Sequence, residues 1–353
     1  MKWLGLGGAV ALAGGMAMKK THAGNRYYSG PPSDHFDGTV FFNPNGQPPG
    51  NFSDLLRWQF GGGRAAWPGD WESPHPPVKP EPRVDGARLV VTMVGHATML
   101  IQTAGLNILT DPVWSVRTSP VGFVGPKRAG SPGIAFDDLP PIDLVLLSHN
   151  HYDHLDLMTL GRLRARHNPH VITPLGNDTI VKQHVPGMAI SAHDWGETVS
   201  FRDVPIHLEP AHHWSARGLG DRRMALWSSF VIEAPGGKIY VIGDTGFHDG
   251  INYRAAAGKH GGFRLAILPI GAYEPRWFMK FQHQNPDEAV QGMLLSRSRY
   301  AIGHHWSTFQ LTNEPRDAPR KHLMEALDRH GVERDRFRPM LSGEVWDIPA
   351  ASA

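Results

Sequence analysis

From Ala87 onward, short apolar runs rich in Val, Ile and Leu alternate with breaks of Gly, Pro and Asp. RLVVTMV, ATMLIQT and LNILTDP come in quick succession, and IDLVLLSH leads into LMTLGRLRARH, whose apolar positions have helical spacing. Further strand signals are HVITP, VPIHLEP, LWSSFVIEA, GKIYVIGDT, LAILPI and YAIGHH, with helical patterns at PDEAVQGMLLSR and APRKHLMEALDRH among them. Early strands followed by strand and helix mixtures predict sheets covered by helices, an α/β (α+β) class. There is no fixed-period repeat and no second shift in composition, so residues 86–350 are expected to form one domain.

Residues 24–85 are rich in Pro, Gly and aromatic side chains, as in FFNPNGQPPGNF and AAWPGDWESPHPPVKPEP. Proline lacks a backbone donor and fixes its dihedral, so few regular elements are expected there. The aromatic content is too high for simple disorder. The segment reads as an irregular arm packed onto the domain that follows. Residues 3–18 are uncharged and mostly small or apolar, between Lys2 and the pair Lys19 and Lys20. That run is short of the roughly 20 residues a membrane span needs. It fits a signal peptide, with THA before Gly24 as a cleavage site, or a weak membrane anchor over residues 1–23; the plain alternative is a flexible glycine-rich tail. The expected location is accordingly membrane-associated or periplasmic, at a bacterial inner membrane, rather than cytoplasmic.

Of the 353 residues, 41% are hydrophobic, enough for a full core. Lys and Arg number 35 against 33 Asp and Glu, so no nucleic-acid partner is indicated. The chain has no cysteine. Disulfides, thiolate nucleophiles and Cys-based zinc sites are excluded together, and a metal would need His, Asp or Glu.

Such residues gather at strand ends, in LLSHNHYDH, LEPAHHW, VIGDT and AIGHHW. In sheet-and-helix architectures these ends are where ligand-handling side chains converge from distant segments. Within HNHYDH, His149 and His151 are two apart and project to the same side of an extended backbone. Asp153 and His154 follow where the chain turns toward a helix and can face a second position nearby. Two cations about 3.5–4 Å apart could share so short a loop. A solvated loop capping the helix, with Asp153 as cap, is the plain alternative. In the doublets His212–His213 and His304–His305, adjacent side chains point to opposite faces, so spacing alone leaves each choice open.

The motif His-x-His-x-Asp-His after a core strand resembles the signature of the metallo-β-lactamase superfamily. LPPIDLVLLSHNHYDHLD, TDPVWSVRTSPVGFVGPKR, IGDTGF and LPIGAYEPRWFMKFQHQNPDEAV look like the N-acyl-phosphatidylethanolamine-hydrolysing phospholipase D family and its bacterial relatives, over roughly residues 85–345. The resemblance implies an αββα sandwich of two mixed β-sheets flanked by helices. It implies a first metal held by His149, His151 and His213, and a second by Asp153, His154 and His305, with Asp244 shared. His212 and His304 become neighbours of the ligands, and His96 a support from an adjacent strand. Two Zn²⁺ are expected, although such donors also admit manganese or iron.

The implied reaction is hydrolysis of N-acyl-phosphatidylethanolamine, or a related phospholipid, to phosphatidic acid and an N-acylethanolamine. A metal-bridging hydroxide would be the nucleophile and Asp153 would orient it. Tyr152 could donate its hydroxyl to the substrate phosphate, and His283 could protonate the leaving alkoxide. Trp277, Phe278, Met279 and Phe281 could line an acyl-chain channel. The expected partners are a phospholipid substrate and a membrane surface, with a homodimer left open. Two other readings stand beside this one: a hydrolase of another ester, such as a sugar-phosphate lactone, and a non-catalytic metal-binding scaffold.

Overall fold

A computed structural model describes residues 24–69, 71–218 and 220–350. The targeting segment expected over residues 1–23 lies outside the described residues. The rest builds two seven-stranded sheets. The first holds β1 (Val90–Gly95), β2 (Thr98–Thr103), β3 (Leu106–Thr110), β4 (Leu144–Leu146), β5 (His170–Pro174), β6 (Ile190–His193) and β14 (Val345–Asp347), in the order β14-β1-β2-β3-β4-β5-β6. The second holds β7 (Thr198–Phe201), β8 (Val204–Glu209), β9 (Ser229–Ile232), β10 (Ile239–Val241), β11 (Phe263–Pro269), β12 (Ser298–His304) and β13 (Phe337–Pro339), in the order β13-β12-β11-β10-β9-β8-β7. Each sheet joins an antiparallel meander to a parallel run, β3 to β6 in one and β10 to β13 in the other. Both are mixed sheets, as the family resemblance implies.

The inner faces meet in one apolar layer that includes Val91, Met93, Ile101 and Ile108 from the first sheet and Ile206, Phe230, Ile267 and Ile302 from the second. Their alternation follows the two-residue period of a strand: Val204, Ile206 and Leu208 of β8 are buried, while Pro205 and His207 between them are half-buried on the outer face. Strand β11 lies between two parallel neighbours and is buried at all seven positions, and its LAILP stretch is a continuous apolar run for that reason.

Helices α2 (Leu157–Arg166) and α3 (Asn177–His184) cover the outer face of the first sheet through Leu160, Leu163, Ile180 and Val181. Helices α4 (Ile251–His260), α6 (Pro286–Leu295) and α7 (Ala318–His330) cover the second through Tyr253, Val290, Met293, Leu323 and Leu327. The result is an αββα sandwich. Helix α2 is capped by Asp156 rather than Asp153, with the Asp156 carboxylate accepting from Met158 N–H and Thr159 N–H. Asp153 is thereby free for other work.

The arm is mostly irregular, and its Phe36 and Phe41 are buried against Ala211, Leu226 and Trp227. It departs from expectation in carrying a nine-residue helix, α1 (Phe52–Phe60). Asn51 accepts from the Asp54 N–H while the Asp54 carboxylate accepts from the Asn51 N–H, a capping box worth about 1 kcal/mol. A short helix α5 (Arg276–Met279) lies beside it, with Trp58 stacked on Phe278 at 5.5 Å.

Candidate metal centre

The ends of five elements on one edge of the sandwich bring the histidine and aspartate motifs together. The segment after β4 supplies His149, His151, Asp153 and His154; the turn after β8 supplies His213; Asp244 follows β10; His305 follows β12; and His96 sits in the turn between β1 and β2. Most are buried, and Asp153 keeps only a slight opening to solvent.

Two groups of donor atoms are distinct. In the first, His149 Nε2 and His213 Nε2 stand 2.9 Å and 3.2 Å from His151 Nδ1, with Asp244 completing the group. In the second, Asp153 Oδ2 lies 3.5 Å from His154 Nε2 and 3.3 Å from His305 Nε2. Asp244 Oδ2 lies 3.2 Å from each of those two nitrogens and 3.6 Å from His213 Nε2, so one carboxylate faces both groups.

The surroundings fix which ring nitrogens are bare. His213 Nδ1 donates to the Gln282 carbonyl (3.0 Å) and His154 Nδ1 to Asp111 Oδ2 (2.7 Å). Ser148 Oγ donates to Asp111 Oδ2 at 2.7 Å, and so accepts from His149 Nδ1 at 2.9 Å. In each ring the Nδ1 proton is directed outward and Nε2 is the nitrogen that faces the cluster. Among the described residues, His154 Nε2 and Asp244 Oδ1 are buried with no hydrogen-bond partner. Buried atoms in that state cost free energy unless something fills the space between them. Donors 2.9 to 3.3 Å apart match the edge of about 3.3 Å expected for a tetrahedron around an ion bound at 2.0–2.1 Å. The two buried His/Asp clusters are consistent with a binuclear metal site.

Burial holds the His149 imidazole well below its ordinary pKa, and pushes His151 down to about 3 and His213 to about 4. The first group therefore presents neutral lone pairs. In the second, burial is outweighed by the neighbouring carboxylates: Asp244, Asp153 and Asp111 hold His154 well above its ordinary value, and Asp244 and Asp153 raise His305 to about 9. For Asp153 and Asp244 burial opposes ionisation, but the surrounding imidazoles keep both well below the usual carboxylate range.

All seven residues expected as ligands converge here, and geometry resolves the doublets in favour of His213 and His305. His304 turns away, Nε2 donating to the Ile242 carbonyl at 2.7 Å. His212 packs edge-on against His248, with ring centroids 4.4 Å apart. His96 supports the site as expected. Its Nε2 is 2.9 Å from Asp153 Oδ2 and its ring lies 4.0 Å from that of His305. Both His96 (φ 59°) and His305 (φ 64°) adopt left-handed backbone, a strained state that concentrates at functional sites.

The other expected residues fare differently. His283 joins the cluster, with Nδ1 3.9 Å from Asp244 Oδ2. Burial keeps its pKa well below the ordinary value, so the ring is neutral and can donate a hydrogen bond but is no imidazolium. Tyr152 is not brought in as a free donor: its hydroxyl donates to the Arg217 carbonyl at 2.9 Å, and the Arg217 guanidinium lies 4.0 Å over its ring. Trp277 and Phe281 are exposed. Asp111 is the residue that sequence reasoning passed over. It accepts from Ser148 N–H, Ser148 Oγ and His154 Nδ1 at 2.7 Å each. Its signal was an aspartate at the end of the apolar run LNILT, just before a proline.

Residues 106–306 match the family model described as a beta-lactamase superfamily domain. The chain is 40% identical over 271 residues to N-acyl-phosphatidylethanolamine-hydrolyzing phospholipase D 1 of Caenorhabditis elegans, covering 73% of this chain and 76% of that protein. It is 33% identical over 253 residues to the mitochondrial N-acyl-phosphatidylethanolamine-hydrolyzing phospholipase D of Saccharomyces cerevisiae, covering 69% of this chain and about half (53%) of that protein. Among solved structures, an isothiocyanate hydrolase from Delia radicum gut bacteria superposes with a TM-score of 0.58 at 19% identity, over 74% of this chain and 100% of that one, a likeness of fold. With two mixed sheets, flanking helices and paired His/Asp clusters at the strand ends, the chain belongs to the metallo-β-lactamase superfamily, as a metal-dependent hydrolase of that fold similar to the N-acyl-phosphatidylethanolamine-hydrolysing phospholipases D.

Proposed function

We propose that this chain is a binuclear zinc phosphodiesterase that cleaves N-acyl-phosphatidylethanolamine, or a closely related phospholipid, to phosphatidic acid and an N-acylethanolamine at a membrane surface. The observation that carries the reading is the pair of donor groups joined by Asp244, in a chain 40% identical to a protein named for this reaction. His149, His151 and His213 would hold one ion and Asp153, His154 and His305 the other. When bound, the ions supply acidified water and positive charge for the phosphoryl oxygens.

Asp153 has one oxygen held by His96, and its other oxygen would orient the attacking water. Water oxygen bonds to phosphorus, the bond from phosphorus to the head-group oxygen breaks, and the leaving oxygen gains a proton. His283, neutral and buried beside Asp244, is positioned to hydrogen-bond that oxygen. Arg217 Nη1 donates to the Asn150 and Leu155 carbonyls at 2.9 and 2.8 Å, which stiffens the motif loop; Tyr152 adds its hydroxyl to the same clamp.

Access for lipid is supported by α1 and α5. Phe52, Leu55, Leu56, Phe60, Trp277 and Phe281 are exposed together, and Arg57 lies over the Trp277 ring at 4.6 Å. None of α1 is fully buried, and Phe52, Leu55, Leu56 and Phe60 leave much of its apolar side open. An interfacial helix presents such a face, with cationic side chains at the level of the headgroups. Helix α5 runs on to His283, whose N–H donates to the Met279 carbonyl at 2.8 Å. The surface therefore adjoins the site. No helix among the described residues is long and apolar enough to cross a membrane, so this surface and the segment over residues 1–23 are the proposed means of association.

Hydrolysis in ¹⁸O-water tests the reaction. Label is expected in phosphatidic acid and none in the ethanolamide. Label in the ethanolamide would mean cleavage at carbon, and release of free fatty acid would mean an acyl hydrolase; either overturns the reading.

A further inference from the structure

A second constellation of metal-ligand type lies outside the paired centre, on the outer face of the second sheet. His207 pairs with Val231 across β8 and β9, so Glu233, two residues beyond Val231, falls on the same face as its diagonal neighbour. His260, the last residue of α4, packs down onto that face, and the His207 and His260 rings approach to 4.8 Å. One donor atom from each of His207, Glu233 and His260 lies within 4.8 Å of the others.

The donors are prepared in the manner of ligands. Thr198 Oγ1 holds His207 Nδ1 at 2.8 Å, which leaves Nε2 for the cluster. That nitrogen is buried and makes no well-aligned hydrogen bond, although Glu233 Oε1 stands 3.3 Å away. Such a separation equals the edge of about 3.3 Å expected between two ligands of a tetrahedral ion at 2.0–2.1 Å. Burial and the neighbouring His260 keep His207 below its ordinary pKa, so the lone pair is available at neutral pH. Glu209 Oε1 lies 2.9 Å from His260 Nε2 and fixes that ring in turn. His207 sits on β8, Glu233 directly follows the last residue of β9, and His260 ends α4, so regular elements position all three.

We propose that His207, Glu233 and His260 form a third transition-metal site that clamps the end of α4 to strands β8 and β9. Two imidazoles and a carboxylate select zinc, nickel or copper over calcium or magnesium. The site is weaker than the paired centre for a visible reason. Lys238 Nζ lies 3.0 Å from the same Glu233 oxygen, and Lys259 Nζ lies 2.7 Å from Glu209 Oε1. An incoming ion must displace Lys238 from Glu233, and it enters a group whose charges are already balanced. None of these residues takes part in the hydrolytic site, so the proposal stands or falls independently of the reaction.

The test uses full-length protein with its paired centre loaded, equilibrated with Zn²⁺ by dialysis and compared with a His207→Gln/His260→Gln double variant. The wild type should bind one more ion per chain than the variant, and excess Zn²⁺ should raise Tm in the wild type only. Lys238→Met keeps every donor and removes the competitor; it should bind the additional ion about three- to fivefold more tightly, the worth of one part-exposed ion pair. Equal ion counts and equal Tm shifts in wild type and double variant would overturn the proposal. Should the double variant fail to fold, an unchanged affinity in Lys238→Met overturns it instead.

Discussion

Replacing Asp111 with Asn separates an organised metal centre from a mere collection of histidines. The Asp111 carboxylate receives three buried hydrogen bonds, with Oδ1 taking the Ser148 N–H and Oδ2 taking both the Ser148 hydroxyl and His154 Nδ1. A carboxamide has one acceptor oxygen. If that oxygen occupies the Oδ2 position, the new NH₂ meets the Ser148 N–H; if it occupies the Oδ1 position, the NH₂ meets His154 and pushes its proton to Nε2, where a metal should bind. Loss of a hydrogen bond to a charged group costs about 1.5–3 kcal/mol. Partners that orient metal ligands are typically worth 10- to 100-fold in affinity or activity, about 1.4–2.8 kcal/mol, so the two estimates agree. Asp111→Asn should therefore hold the ion beside His154 about 10- to 100-fold more weakly, with the ion of the His149 group less affected. Competition with a chromophoric chelator measures this, and circular dichroism checks the fold. Unchanged affinity for both ions together with unchanged turnover would refute the argument that Asp111 sets the His154 tautomer.

Gly243→Ala should damage the same region from the other side: a Cβ there would fall 2.4 Å from Ser148 Oγ and 2.5 Å from Ser148 Cβ, with backbone or Ser148 forced to move. A loss of about 1–3 kcal/mol in denaturant unfolding, with reduced metal content, is expected. Leu56→Ser/Phe60→Ser should weaken sedimentation with phospholipid vesicles, each change by about tenfold if 1.5 kcal/mol of apolar burial is lost per side chain, while hydrolysis of a water-soluble diester is retained; undiminished vesicle binding would remove α1 from the membrane surface. His35 joins the arm to Asp194 at 2.7 Å, and although burial lowers its pKa, Asp194 and Asp34 outweigh this and raise it above 6.5. That contribution is full below the unfolded value of 6.5 and is lost as pH rises through the elevated folded value, so protease should cut the arm faster at alkaline than at mildly acidic pH in wild type and with no such difference in His35→Gln.

How much of this was legible in the sequence depended on the range of the interactions. The strands HVITP and the helix APRKHLMEALDRH appear residue for residue as β5 and α7, because a bounded apolar run and an amphipathic period are local signals. Helix α4, INYRAAAGKH, was missed because it has little apolar asymmetry around its axis; it is held by small residues, Ala256 and Ala257, and by buried Tyr253 and His260. The three- and four-residue strands β6, β7, β13 and β14 are too short to show a period. Within the site, the ligand types were visible in the motifs, whereas the choice within each doublet needed either family likeness or the hydrogen bond that turns His304 toward Ile242. Asp111 and Tyr152 show the remaining limit. Their partners are 43 and 65 residues away, at His154 and Arg217, and nothing local records which side chain a distant backbone or ring will claim.

The electrostatics argue that the cluster is organised for cations rather than for a self-sufficient hydrogen-bond network. Asp153 and Asp244 stay ionised despite burial because His154 and His305 are driven to hold protons. In the ion-free protein two protons thus stand where positive charge is required. They are imperfect substitutes, since Asp244 Oδ1 remains without a partner and three neutral imidazoles still face one another across 2.9 to 3.2 Å. A network evolved only to satisfy itself would pair those lone pairs with donors. Cations satisfy both groups at once, replacing the protons on one side and filling the space between bare nitrogens on the other. Binding should therefore release protons from the His154 and His305 side and almost none from the His149 side, an asymmetry built into the positions of the carboxylates.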